Sequence, residues 1–153
     1  MIDSLIRNLS ARLIELGAIY VDRYNDDPDA KNDYATPAVL IELQPWQPDQ
    51  QRGNVIMGVL TLQLHVHQAH AGGAHRTEEG GNQEAFIEPF TLVEKLIKGL
   101  NFWRWNYSLN QLGKPVNVKS EELLFTRHTP PTSYTTHLVD LIEFQTTIAL
   151  KKC

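Results

Sequence analysis

From Val55 to Gln68 the chain reads VIMGVLTLQLHVHQ, and from Leu60 onward every second residue is aliphatic: Leu60, Leu62, Leu64 and Val66. Thr61, Gln63, His65 and His67 occupy the positions between them. A two-residue period suits a β-strand with one face buried and the other polar, because successive side chains of a strand point to opposite sides. The stretch therefore demands a sheet and a cover for one side of it. A second stretch of this kind closes the chain. In 134–151, Ile142, Phe144, Thr146, Ile148 and Leu150 line one side, while Glu143, Gln145, Thr147 and Lys151 line the other.

The cover comes from two segments of helical period. IDSLIRNLSARLIEL (2–16) places Ile2, Leu5, Ile6, Leu9, Leu13 and Leu16 on one stripe, with Asp3 and Ser4 as early capping groups and Gly17 as the stop. NQEAFIEPFTLVEKLIKGL (82–100) puts Phe86, Phe90, Val93, Ile97 and Leu100 on one face, with Asn82 as N-cap. Pro89 either kinks this helix or marks its first turn. Between the helices lie a short strand at 18–21, a polar loop at 22–37, the strand AVLIEL at 38–43 and a hairpin-like connection before Val55. After the long strand comes a glycine-rich loop, 69–82. Beyond the second helix follow an aromatic, turn-rich connection (101–119) and closing strands at about 120–127 and 134–151, separated by HTPPTS. This order predicts an α+β fold: one domain over 1–153, an antiparallel or mixed β-sheet, and two amphipathic helices packed on one face.

A length of 153 residues suits a single core, and a net charge of −4 argues against general affinity for nucleic acid. No apolar run approaches a membrane span, and no basic-then-apolar leader opens the chain, so a soluble protein made in the cytosol is expected. The one cysteine, Cys153, leaves no internal disulfide.

Four of the six histidines, His65, His67, His70 and His75, fall between Leu60 and Gly81. His65 and His67, two apart on a strand, share a face within reach of one metal ion, and His70, His75 or Glu78 would supply a third ligand. The favoured alternative makes them the continuation of the polar row begun by Thr61 and Gln63, because a glycine-rich loop pre-organises ligands poorly. No metal and no cofactor are expected. Asp26, Asp27, Asp29 and Asp33 crowd one loop but lack the glycine and terminal glutamate of a calcium-binding EF-hand, so they read as solvated. Asp140 and Glu143 fall on opposite faces of the last strand, a poor acid–base couple. The hydroxyls of TSYTTH beside His137 have no nucleophile elbow, and no phosphate-binding or dinucleotide-binding loop occurs. The expectation is a protein without catalytic residues.

NFWRWNYS (101–108) gathers Phe102, Trp103, Trp105 and Tyr107 around Arg104. A hydrophobic plug over the second helix is the first reading, a subunit interface the second, and stacking on single-stranded nucleic acid the weakest. In PWQPDQQRG (45–53), Trp46 would expose a large ring unless something covers it. The candidates for contact with a subunit or partner are thus Trp46, Arg52, Trp103, Arg104 and Trp105.

An N-terminal helix, an acidic loop, TPAVLIEL with Pro37, Ala38 and Val39 at its start, the VLTLQLHVH strand, a second helix and a last strand VDLIEFQTTIAL follow one another over 2–151. In this order the chain resembles the tail terminator proteins of long-tailed bacteriophages, the family of the minor tail protein U. The HVHQAHAGGAHRTEEGG loop and NFWRWNYS depart from that pattern. The resemblance implies an α+β subunit forming a closed homo-oligomeric ring, a hexamer, on the end of the tail tube. It implies the tail tube protein and a head–tail connector protein as partners, with no membrane and no specific nucleic-acid binding. It places the protein at the head–tail junction of the virion, and in the host cytoplasm before assembly. A head–tail connector or head-completion protein, and a metal-binding protein built on His65 and His67, are the alternatives.

Overall fold

The computed structural model of the chain describes residues 1–24, 34–53, 55–69, 83–111, 114–133 and 137–151; within these, 49–52, 83–89, 107–111, 114–120, 132–133, 137 and 151 are described by backbone alone. Two fifteen-residue strands form the spine. β4 (Val55–Ala69) and β8 (His137–Lys151) run antiparallel and pair along their whole length, from Val55 opposite Lys151 to Ala69 opposite His137. At about 3.4 Å per residue each strand spans close to 50 Å.

The other strands attach to this pair. β2 (Ala38–Leu43) pairs antiparallel with the second half of β4, and β3 (Pro48–Arg52) forms a hairpin with its start. β1 (Tyr20–Arg23) lies parallel to β2 at one edge, and β7 (Leu124–Ser133) pairs with β8 at the other. The result is a mixed six-stranded sheet. Among the described residues β5 (Arg104–Gln111) and β6 (Lys114–Glu122) pair only with each other, as a separate two-stranded sheet.

The register sets Val39 beside Val66, Ile41 and Ile142 beside Leu64, and Phe144 beside Leu62, all on one face. Onto that face α1 (Ile2–Glu15) lays Leu5, Leu9 and Leu13, and α2 (Gln83–Leu100) lays Val93, Leu96 and Leu100; all join one buried cluster. The expected α+β architecture, with both helices on one side of the sheet, is therefore present. Between the helices, the Arg12 guanidinium donates to the Gly99 carbonyl at 3.2 Å, satisfying an acceptor in the last turn of α2.

Geometry calls for glycine at Gly17 and at Gly58 for different reasons. Gly17 ends α1 at φ +118, a backbone setting that side-chain-bearing residues rarely adopt. Gly58 makes room for Trp46, since a Cβ there would lie 2.7 Å from the indole ring. At about 1.5 Å per residue the helices reach only about half the length of the spine, and Trp46 covers part of the core face beyond them.

Several boundaries differ from expectation. Met1, not Asp3 or Ser4, occupies the N-cap of α1, with no capping side chain. The connection expected at 101–119 is the β5–β6 hairpin. Its sequence hides the strands because they serve no six-stranded neighbour, and the register breaks between Ser108 and Leu109. The HTPPTS segment expected to separate two strands lies inside β7. Pro130 and Pro131 are tolerated because β7 is an edge strand whose register breaks between Thr129 and Thr132. β3 begins at Pro48, within the segment expected to be a mere connection, and β1 starts two residues later than the strand expected at 18–21. Loop 69–82, beyond Ala69, lies outside the described residues.

Candidate functional site

His65 and His67 do project from the same face of β4, the one turned away from the helices. The row they continue is not solvated. Each is only 8% exposed. Tyr24, just past β1, stacks on the His65 ring with centroids 3.8 Å apart and planes within 6°. The His65 Nε2 lies 2.7 Å from Glu42 Oε2. The Tyr34 hydroxyl lies 3.1 Å from His67 Nδ1, its ring meets His67 edge-on, and Tyr20 stacks on it with centroids 5.2 Å apart. Tyr20 in turn donates its hydroxyl to Asp22 Oδ2 at 2.6 Å. The cover comes from Tyr20, Tyr24 and Tyr34, so periodicity within β4 carries no sign of it.

Burial pushes the His65 imidazole below its ordinary value of 6.5, and hydrogen bonding with Glu42 opposes this only in part. At neutral pH His65 is therefore uncharged and donates from Nε2 to Glu42. Among the described residues no group of three or more His, Cys, Asp or Glu converges on a metal-sized space. His70, His75 and Glu78, the acidic loop residues Asp26, Asp27, Asp29 and Asp33, and the Tyr134–Thr136 hydroxyls lie outside the described residues.

The five candidate contact residues do not form one surface. Trp46 is half-buried against Gly58 and the core. Arg52 is placed by its backbone alone, opposite Val55 at the β3–β4 turn. Trp103 and Trp105 flank Arg104 and turn inward by the alternation of an extended chain: Trp103 packs half-buried on the core, and Trp105 is 1% exposed. The Trp105 indole N–H donates to Thr146 Oγ1 at 3.0 Å, so this residue is core and leaves the set of contact candidates. Arg104 points outward and donates to Glu122 Oε1 from Nε at 3.0 Å and Nη2 at 2.8 Å. Phe102 is the outward ring of this segment, 65% exposed with φ +61.

Sequence reasoning missed a second histidine–carboxylate pair. His128 Nε2 lies 2.8 Å from Asp140 Oδ1, and the Asp140 side chain is 1% exposed. Burial raises the Asp140 carboxyl above its ordinary 3.8, with His128 pulling the other way. His128 sat in a segment read as a turn, so no alternation argument could place it opposite Ile142. Glu143, as expected, faces the other side, against Gln63, Thr126 and Arg127.

The open surfaces among the described residues include a trough on the sheet and a cleft at its edge. At one end of the uncovered sheet face Met57, Val59 and Leu124 are exposed, the latter two at 43% and 44%. Val59 and Leu124 line a trough of about 380 Å³ with Gln145, Thr147 and the Arg104–Glu122 pair. A larger cleft of about 990 Å³ opens between α1 and the β1–β2 edge. No protein-family model matches the chain, and no curated protein does either.

Proposed function

We propose that this chain is a structural, non-enzymatic subunit of a phage or prophage tail: a terminator that closes into a six-membered ring on the tail tube and offers the docking surface for the head–tail connector protein. No cofactor enters this role. In the virion it would sit at the head–tail junction, after assembly from the host cytoplasm. The observation that carries the reading is the open end of the sheet. Exposed Met57, Val59 and Leu124 share that face of the β4–β8–β7 sheet, interspersed with Gln145 and Thr147, and exposed apolar side chains rimmed by polar ones mark contact with other protein subunits. The resemblance in sequence to tail terminators is the second support for the reading.

Purified protein added to polymerising tail-tube protein tests the proposal under negative stain. The expected result is tubes of restricted length with a ring at one end. Unaltered tube lengths, or binding to connector rings alone, would contradict it.

A further inference from the structure

We propose that the β5–β6 hairpin of one copy seats in the cleft between α1 and β1 of the next, giving a head-to-tail contact. Among the described residues the hairpin is a two-stranded ribbon with no third strand, and β5 is about 24 Å long at 3.4 Å per residue. An isolated two-stranded ribbon is marginal in water and gains stability from a surface to pack on. At its root, Trp105 is buried and the Asn106 carbonyl accepts from the Asn8 side chain at 3.2 Å.

The cleft lies on the other flank of α1. Ile6 and Ser10 line it, one helical turn apart, whereas Asn8 and Arg12 reach toward the hairpin root and α2. A chain's own hairpin is thus rooted on the flank away from its own cleft. A contact between two different surfaces of this kind propagates, closing a ring where the rotation allows.

Chemistry matches across the two surfaces. Ile6, Val21, Ile41 and Leu43 give the cleft an apolar floor, and Asp22 and Glu42 outnumber Arg23 on its rim. The hydrogen bond from Tyr20 holds Asp22 below the usual carboxylate range. From Asn106 to Ser120 the chain, acidic overall, carries Lys114 and Lys119 and no acidic residue, together with Leu109, Val116 and Val118. The occupant that fits is therefore a second copy of this chain. The contact rests on the terminator reading for its purpose, though not for its geometry.

Charge reversal tests it by sedimentation at the highest soluble concentration. Asp22→Lys alone, or Lys114→Glu with Lys119→Glu, should each weaken assembly about tenfold, and all three together should recover it. A monomeric native chain, unchanged assembly in the reversed chains, or no recovery would overturn the contact. Crosslinking checks it independently of any folding defect in these variants. In a Cys153→Ser background, Ser10→Cys chains mixed with Val116→Cys chains should form an intermolecular disulfide that Glu94→Cys chains mixed with Val116→Cys chains do not. Equal yields overturn the contact. Crosslinked rings that fail to cap tubes contradict the terminator reading alone, and capped tubes without the crosslink contradict this contact alone.

Discussion

Replacing Trp105 with alanine would remove a ring that is 1% exposed and leave the Thr146 hydroxyl without its donor. The expected loss is about 3–5 kcal/mol, read by chemical denaturation. Trp105→Phe keeps most of the volume and loses the hydrogen bond, costing about 1–2 kcal/mol. At His65 the prediction concerns pH. Burial holds the folded imidazole below 6.5, so the unfolded chain takes up its proton first as the solution is acidified. The stability tied to His65 is complete above pH 6.5 and is lost as pH falls through the folded value. His65→Gln should flatten that limb of a stability-against-pH curve; an unchanged slope would contradict burial of the ring. Asp140 acts in the opposite sense. Its raised value means that its contribution shrinks as pH climbs from 3.8 upward.

Among the elements, the exit of α2 stores strain. Phe102 holds φ +61 while its amide donates to the Leu123 carbonyl at 2.8 Å, and its exposed ring contributes little burial in return. Phe102→Gly should therefore raise stability by about 0.5–1 kcal/mol in thermal or denaturant unfolding. A loss instead would mean the ring makes contacts that its exposure does not suggest. The long strands and both helices were legible in the sequence because each is built against one core, and burial imposes a period. Leu60 to Val66 and Leu5 to Leu13 show this directly. β5 and most of β6 were not legible, and of β7 only its start, within the strand expected at about 120–127, was. Among the described residues the first two pair only with each other, and the third carries Pro130 and Pro131 at an edge, where no second neighbour needs its amides. The site was legible only in part. His65 and His67 share a face as their spacing requires, but the tyrosines that cover them and the His128–Asp140 pair join residues far apart in sequence.

For the molecule as a whole, the described residues seal one face of the sheet with helices and the other only at the tyrosine–histidine end. Val59→Asp places a charge on the open end, in a residue that is 43% exposed, so monomer stability should change by no more than about 0.5 kcal/mol. Capping of tail tubes should nevertheless fall, and equal capping by the variant would remove the open end from the contact surface. The central claim, that this subunit exists to close a tail tube, is tested most directly by the tails of particles assembled without it. Electron micrographs should show tubes of irregular, extended length with no joined heads. Tails of normal, uniform length attached to heads would contradict the account.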